Sequence, residues 1–375
     1  MQGSPKICFA PGNFHPFVGG LAKAAYRVVS FLVEAGYDVD VVVPVPGKQS
    51  DNLPQPEHRE AFKIYRIPMG DSSLAKQSRA IARAVWQLDQ TSRYDLFHAF
   101  WFSLAFPLSL VSAPRKAPLL ASIRGTDAYE STRPEKQGLT KLILHNLNGL
   151  TSTNQDLLNR VKKVGGLKGM TQIIPNSVPV ADSGPWLLNE ANRGVIGTVG
   201  KFREVKAVPD LLKAFSLLPR SVAGKLVMVG DFSEAESGYE MNVRSYSEQL
   251  ELTPYLQWTG LAGEEKVRDY MRQMNLFVLS SKTEGFPNTL LEAAALGLPI
   301  VSTKFPGWSD YLKHEKNALM VPVGDPEGLA EAINRVLTHP ELAGDLSLGA
   351  RRFAAKFSPA REKNAWISLY RKLIK

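Results

Sequence analysis

The stretch Leu276–Thr303, LFVLSSKTEGFPNTLLEAAALGLPIVST, decides how the second half of this chain folds. It opens with an apolar run, Leu276–Ser280, of the density expected for a buried parallel strand. A loop follows, and then a helical segment for which Asn288 is a favourable N-cap. Gly297 marks the end of that helix, and Pro299–Ser302 begins another strand. The sequence therefore predicts a strand–loop–helix–strand unit.

Two carboxylates surround the predicted helix start. The start of a helix exposes unpaired backbone N–H groups and the positive end of the helix dipole, so it can hold an anion. Glu284 lies in the loop before the helix and Glu292 lies one turn inside it, with seven residues between them. Because a carboxylate accepts two hydroxyl hydrogen bonds at once, this pair suits a ligand that carries hydroxyls as well as phosphate. Two solvated carboxylates are the simpler interpretation, since charged residues are mostly exposed.

Alternating strands and helices extend from this stretch in both directions, and the pattern breaks near Ser177–Arg193. This alternation predicts two α/β domains with doubly wound parallel sheets, residues 1–180 and 181–358, facing each other across a cleft. The predicted strands before the break are Lys6–Ala10, Asp38–Val43, Phe62–Ile67, Tyr94–Ala99, Leu119–Ile123, Leu150–Thr153 and Gln172–Pro175. Those after it are Gly194–Val199, Lys225–Val229, Leu256–Thr259, Leu276–Leu279, Pro299–Ser302 and Leu319–Val321.

Composition narrows the class of protein. The 375 residues are 44% hydrophobic and 22% charged, which is typical of a globular chain with a large core. The single cysteine, Cys8, excludes a disulfide framework and a zinc site. The N-terminus lacks a signal-peptide pattern, so we predict a cytoplasmic protein. The net charge of +9 favours anionic partners, and because no nucleic-acid module is present we exclude nucleic acid.

The basic, partly apolar C-terminal segment Arg361–Lys375 has two interpretations. It could lie on a membrane, which would place the protein peripherally at the inner membrane face. The commoner arrangement, which we favour, is a helix that packs its apolar side on the protein.

The string EGFPNTLLEAAALGLPIV, with FPGWSDYL and NALMVPVGDPEGLAEAI after it, closely resembles the Glu-x7-Glu motif of the retaining family-four glycosyltransferases. These enzymes have the GT-B fold of two Rossmann-like domains. The resemblance implies that residues 1–180 bind the acceptor and residues 181–358 bind a nucleotide-sugar donor. It also implies that the last helix, residues 359–375, crosses back onto the first domain.

The resemblance assigns roles around the donor. Glu292 would bind ribose hydroxyls and Glu284 a hydroxyl of the donor sugar. The sugar and its phosphates would be cradled by the backbone of Phe286, Pro287, Asn288, Thr289 and Leu290. In the first domain, the paired glycines Gly19 and Gly20 would contact the donor diphosphate or the acceptor, although a plain turn is an equal alternative.

A group of cations is expected to bind the diphosphate. The segment GTVGKFREVK ends at Lys206, which matches a family lysine that touches the diphosphate. Lys201 stands where the family normally has arginine, and lysine cannot form a bidentate fork. Arg203 is a candidate to compensate. Such cations would stabilise the developing charge of the leaving group. Taken alone, they could equally be ordinary surface residues.

The chain departs from the family pattern at two first-domain positions. A family stretch that often reads His-x-His is here His98-Ala-Phe100, which leaves His98 as the acceptor-side candidate. A histidine that often precedes Gly-Thr-Asp is replaced by Arg124. Arg124 and Asp127 end a predicted strand, and they are either catalytic or a structural ion pair.

These observations predict a retaining hexosyltransferase that uses a nucleoside diphosphate sugar and a hydroxyl acceptor. The acceptor would be a sugar, a lipid-linked glycan or a small molecule, in glycan, glycolipid or polysaccharide biosynthesis. No Asp-x-Asp motif or His/carboxylate cluster has metal spacing, so we expect neither a metal nor a cofactor. The alternatives are a nucleotide-sugar epimerase or a phosphorylase of the same fold, and a catalytically silent nucleotide-sugar-binding protein.

Overall fold

In a computed structural model, residues 4–17, 19–48, 53–59, 61–70, 73–180, 194–233, 236, 238–308 and 311–374 are described. The chain divides into two compact units. Unit 1 comprises Met1–Asn176 and Ala360–Lys375, and unit 2 comprises Ser177–Pro359. Residues 181–193 of the predicted break lie outside the described residues.

Unit 1 is built on an eight-stranded sheet. Its strands are β1 (Lys6–Ala10), β2 (Asp38–Val45), β3 (Glu57–Arg59), β4 (Phe62–Pro68), β5 (Leu96–Ala99), β6 (Leu119–Ile123), β7 (Gly149–Ser152) and β8 (Met170–Ile173). Their order is β3-β4-β2-β1-β5-β6-β7-β8. All neighbours are parallel except β3 and β4. Its helices are α1 (Gly20–Glu34), α2 (Leu74–Ser92), α3 (Ala105–Arg115), α4 (Thr126–Ser131), α5 (Gln137–Asn146), α6 (Gln155–Lys162) and, at the chain end, α13 (Pro359–Leu373).

Apolar side chains cover both faces of this sheet because successive residues of a strand point to opposite faces. Ile7 and Phe9 of β1 belong to the core that includes residues of α1 and α13. Cys8 and Ala10 of the same strand belong to the core that includes residues of α2, α3 and α5. A sheet buried on both faces requires this continuous apolar run.

Unit 2 is built on a six-stranded parallel sheet of order β11-β10-β9-β12-β13-β14. Its strands are β9 (Val195–Val199), β10 (Lys225–Val229), β11 (Leu256–Trp258), β12 (Leu276–Leu279), β13 (Ile300–Thr303) and β14 (Leu319–Val321). Its helices are α7 (Val208–Ser216), α8 (Tyr239–Gln249), α9 (Glu264–Gln273), α10 (Asn288–Ala295), α11 (Pro326–Thr338) and α12 (Pro340–Ala354). The predicted fold class, two doubly wound parallel-sheet units, is confirmed.

The strand predicted at Gln172–Pro175 lies two residues earlier, at Met170–Ile173, and two further local features were not predicted correctly. Strand β3 was not predicted, because its three residues are polar and exposed at a sheet edge and carry no apolar pattern. Asn288 is not the N-cap of α10. Pro287 occupies that position without a side-chain cap hydrogen bond, and Asn288 is the first helical residue.

Candidate functional site

The chain order of the second sheet reverses between β9 and β12, which are neighbours in space. Strands before and after such a reversal send their following loops in opposite directions, which opens a crevice at the carboxyl edge. The loop after β9 contains the 3-10 turn Glu204–Lys206, and the loop after β12 leads into α10. The backbone N–H of Lys282 donates to the carbonyl of Val205 at 2.8 Å, so the two loops are joined directly.

Lys206 and Glu284 form an ion pair across these two loops. Lys206 Nζ lies 2.5 Å from Glu284 Oε1, and the side chains are only 16% and 14% exposed. The hydroxyl of Ser281 donates to the same carboxylate oxygen at 2.8 Å. Ser280 Oγ donates to the carbonyl of Lys206 at 2.8 Å. The structure thus brings together two predicted site residues that are 78 positions apart in the sequence, and it holds both in place.

The predicted cradle residues have two kinds of environment. Phe286 and Leu290 are buried, and the Phe286 ring packs 5.0 Å from the ring of Trp308. Their side chains therefore anchor the start of α10 in the core of unit 2. Asn288 and Thr289 are half-buried.

Pro287 precedes α10 and is buried. Glu292 lies on α10 and is half-buried, and so is Glu284 in the preceding loop. The two carboxylates therefore lie on either side of the helix start, as the sequence predicted.

The three predicted cations differ in position. Lys206 is held by Glu284, Lys201 is exposed, and Arg203 is half-buried. Among the described residues, Nε of Arg203 is buried without a hydrogen-bond partner. Of these three cations, Lys206 is the one that a carboxylate holds in place among the described residues.

Two glycines near Lys206 differ in how much space they leave for a side chain. A methyl group on Gly200 would lie 3.5 Å from Cε of Lys206. Gly230 has a φ of 127°, and a methyl group there would lie 2.0 Å from the carbonyl oxygen of Gly200. Only glycine fits at position 230, because the angle and the space both exclude a side chain.

In unit 1, Gly19 and Gly20 are exposed at the start of α1. Gly19 is the N-cap, with φ 157° and ψ 162°, and Gly20 is the first helical residue. A Cβ atom on Gly19 would meet no heavy atom within 4 Å. The space beside Gly19 is therefore open, but no contact identifies a ligand there.

His98 lies in the core of unit 1 and is fully buried. Its Nδ1 lies 2.5 Å from the hydroxyl of Tyr370 on α13, and its Nε2 lies 2.7 Å from Ser122 Oγ. Burial and, to a lesser degree, the charge of Arg124 hold the pKa of His98 well below its usual range. Since both ring nitrogens already contact protein groups, His98 is placed to attach α13 to the sheet rather than to touch an acceptor.

The two positions that depart from the family pattern contact each other. The guanidinium of Arg124 lies 4.5 Å from the centre of the Phe100 ring, and both side chains are buried. Arg124 Nη2 also donates to Asn176 Oδ1, whereas Nη1 is buried without a partner among the described residues. Burial lowers the pKa of Arg124 to about 10, so it stays cationic at neutral pH. A cation stacked on an aromatic ring therefore replaces the two family histidines.

Asp127 accepts hydrogen bonds from four backbone N–H groups, those of Phe102, Arg124, Gly125 and Ala128. Burial nevertheless raises the pKa of its carboxyl to about 6, since desolvation outweighs the hydrogen bonds. These contacts fix the turn between β6 and α4. The position of Arg124 follows from that turn.

The C-terminal helix packs its apolar side inward. Trp366, Leu369 and Tyr370 are at most 1% exposed, so these side chains are not free to enter a membrane. The carboxylate of Glu362 accepts a hydrogen bond from Nε of Arg27 at 2.7 Å, and this contact attaches α13 to α1. The packed arrangement favoured from the sequence is the observed one. Within the described ranges, no helix has the length and apolar character needed to cross a membrane.

Some contacts were not predicted. Ser281 orients Glu284, and its position directly after a buried strand was the available signal. Asn176, which follows β8, binds Arg124, which follows β6, because only β7 separates these two strands in the sheet; no local pattern reveals this order. Among the residues that the structure describes, no group of three His, Cys, Asp or Glu side chains could hold a metal ion.

Known proteins resemble this chain along nearly its whole length. The family model "Glycosyl transferase 4-like domain" matches residues 19–176, and "Glycosyl transferases group 1" matches residues 187–353. N-acetyl-alpha-D-glucosaminyl L-malate synthase from Bacillus anthracis is 22% identical over 90% of this chain and 89% of its own length.

Two solved structures share the fold. Sucrose-phosphate synthase from Thermosynechococcus elongatus superposes with a TM-score of 0.83 at 21% identity, over 98% of this chain and 99% of that one. HepE from Anabaena, solved in complex with UDP-glucose, superposes with a TM-score of 0.77 at 17% identity, over 98% and 99%. The two family matches together cover more than half of the sequence, and the chain therefore belongs to the group 1, family-four glycosyltransferases of GT-B fold.

Proposed function

We propose that this glycosyltransferase is a retaining enzyme that transfers a hexose from a nucleoside diphosphate sugar to an acceptor hydroxyl. Its product would belong to a glycan, a glycolipid or a cell-surface polysaccharide. The observation that carries the proposal is the Lys206–Glu284 pair at the chain reversal of the second sheet, next to the start of α10. The complex of HepE with UDP-glucose supports a UDP-sugar as the first donor to test.

In this proposal the donor diphosphate lies between Lys206 and the N–H groups at the start of α10. One donor of the Lys206 ammonium is used by Glu284, and the remaining hydrogens are free to reach phosphate oxygens. Glu284 would bind a hydroxyl of the sugar with the carboxylate oxygen that Lys206 does not contact. Glu292 would bind the ribose hydroxyls.

The proposed reaction is a front-side displacement. The acceptor oxygen bonds to the anomeric carbon on the face from which the diphosphate departs, and the carbon–oxygen bond to the diphosphate breaks. The proton of the acceptor hydroxyl passes to the departing phosphate oxygen, so no side-chain base is required. Lys206, Lys201 and the α10 N–H groups would stabilise the charge that develops on the diphosphate, which is the usual largest contribution to catalysis.

Unit 1 would supply the acceptor side. Gly19 and Gly20 expose the start of α1, and the Arg124–Phe100 stack and Asp127 lie where β6 ends. We propose that Arg124 contributes positive charge there in place of a histidine. We also propose that the reaction needs no divalent metal, because lysine and backbone groups perform the charge stabilisation.

The test is donor turnover and binding in matched variants. Lys206→Ala is expected to weaken UDP binding and to lower kcat by about 10²–10³-fold, the loss typical of removing one transition-state donor. Glu284→Ala should mainly lower kcat, and Glu292→Ala should mainly raise KM. Lys282→Ala is the control, since it changes an exposed lysine in the same loop.

Each outcome has a defined meaning. Turnover unchanged in all three site variants would refute the assignment. A requirement for a divalent metal ion would refute the proposed metal-independent reaction. Conversion of the donor sugar into its epimer without transfer would show an epimerase. Donor binding without transfer or hydrolysis would show a silent binding protein.

A thermal-shift screen of UDP-glucose, UDP-GlcNAc and GDP-mannose would identify the donor, because a ligand that binds only the folded chain raises its Tm.

A further inference from the structure

Unit 1 carries an open groove that the proposed reaction does not use. The α5–α6 groove is formed by the residue after α4, the first half of α5, one side of α6 and the residues that follow it. Its volume is about 810 Å³, within the range of small-molecule sites. None of its lining residues was among the predicted site residues.

Four cations line the α5–α6 groove: Lys141, Arg160, Lys162 and Lys163. In the described part of the chain, none of the four forms an ion pair with a carboxylate. The guanidinium of Arg160 is stacked 4.4 Å from the centre of the Tyr129 ring, which limits where it can move. Unpaired like charges on a concave surface repel one another and raise the local positive potential. This cost is offset when an anion binds between them.

One carboxylate, that of Asp156, also lines the α5–α6 groove. Its Oδ2 is buried and has no hydrogen-bond partner among the described residues, so Asp156 does not neutralise the lysines by direct pairing. The lining therefore carries four positive charges against one negative charge. This local excess accounts for part of the net charge of +9 in the whole chain.

The uncharged lining indicates a hydrophilic ligand. Thr132, Gln137 and Asn159 supply hydroxyl and amide groups, whereas Val164 is the single apolar residue among those that line the groove. An acyl chain would find almost no apolar surface there, and a flat aromatic ligand would find no exposed ring in the lining. Hydroxyl and amide groups beside cations suit a sugar that carries a carboxylate or a phosphate.

We propose that the α5–α6 groove binds an acidic carbohydrate through its carboxylate or phosphate groups. The groove would hold a charged unit of a glycan. Its ligand contacts would be made by Lys141 from α5, by Arg160 from α6 and by Lys163 directly after α6. This binding goes beyond the proposed transfer reaction, since it needs neither the donor nor Lys206.

The test is fluorescence anisotropy with a labelled oligogalacturonate, whose units carry carboxylates, and a neutral labelled maltooligosaccharide of the same length. Wild-type protein without donor should bind the acidic probe more tightly than the neutral one, and salt should weaken the acidic binding by screening. Lys141→Glu/Lys163→Glu should weaken it by about tenfold or more, because each reversal replaces an attraction with a repulsion.

The control is Lys76→Glu/Lys316→Glu, which makes the same change in net charge at exposed positions outside the groove. The control should retain wild-type affinity, and a phosphorylated monosaccharide should compete with the probe. Equal losses in the two double variants, or equal binding of both probes, would overturn the proposal. So would groove-dependent binding to phosphatidylglycerol vesicles that exceeds binding to the acidic probe, because it would assign the groove to a lipid surface.

Two further measurements separate this proposal from the proposed function. The groove variant should keep the UDP-induced rise in Tm, and Lys206→Ala should keep wild-type affinity for the acidic probe. Loss of probe binding in Lys206→Ala would show that the probe occupies the donor site, which would also overturn the groove assignment.

Discussion

Replacing Lys206 by methionine keeps the length of the side chain but leaves the Glu284 carboxylate with Ser281 as its remaining identified partner. Removing one member of a buried ion pair costs about 3–5 kcal/mol, because the other charge is left uncompensated. Here the side chains keep 16% and 14% exposure, so water can recover part of that cost. We therefore expect Lys206→Met to lower the free energy of unfolding of unit 2 by about 2–4 kcal/mol.

The second variant tests whether the pair itself is responsible. Glu284→Gln removes the stranded charge and can still accept the hydroxyl of Ser281. In the double variant Lys206→Met/Glu284→Gln, we expect about 1–3 kcal/mol of the loss to be recovered, the usual coupling for residues in contact. Lys282→Met, at an exposed position in the same loop, should change stability by less than about 0.5 kcal/mol.

Urea unfolding followed by circular dichroism measures these values, with the transitions of the two units fitted separately because a two-unit chain need not unfold in one step. The same four proteins are then heated with UDP. Lys206→Met should lose the rise in Tm, and Lys282→Met should keep it. If the effects of the two single substitutions add within about 0.5 kcal/mol, the ion pair contributes nothing and the reasoning fails.

Three further substitutions test other parts of the structure. Gly230→Ala should lower stability by about 1–3 kcal/mol and weaken UDP binding, because its methyl group would displace the Gly200 carbonyl beside the proposed diphosphate site; unchanged urea and thermal-shift curves would contradict this. The buried carboxyl of Asp127 has its pKa raised from 3.8 to about 6, so the folded chain keeps a proton that the unfolded chain releases, and stability should fall by about 3 kcal/mol as pH rises through that interval. Asp127→Asn should remove this slope in urea titrations at pH 4 to 6.5. His98 has a lowered pKa, so the unfolded chain binds the extra proton, and stability should fall as pH drops below 6.5; His98→Gln should reduce that loss, and an equal slope in both proteins would show that another group is responsible.

The sequence predicted the strand framework well where strands are buried. Leu276–Leu279, Lys225–Val229 and Leu119–Ile123 have the predicted bounds, because a strand covered on both faces is apolar at most of its positions. Strand β3 was missed, since its polar residues are paired only at a sheet edge. Asn288 was misplaced by one position because capping preferences do not fix where the first helical hydrogen bond forms.

For the candidate site, the sequence was informative about which charged residues to expect. It marked Glu284, Glu292 and Lys206 by spacing and by a family motif. It could not show that Lys206 contacts Glu284, because that contact depends on β9 and β12 being neighbours in the sheet.

By itself, the sequence determined that the chain forms two doubly wound α/β sheets and that Glu284 and Glu292 lie on either side of a helix start, because apolar periodicity and helix signals act over short distances. Only the tertiary structure decided which polar groups from distant parts of the chain contact each other. It placed His98 in the core against Tyr370, stacked Arg124 on Phe100, and gathered unpaired lysines from α5 and α6 into one groove. Burial and pairing depend on which elements pack together, and that choice belongs to the whole fold rather than to any local stretch.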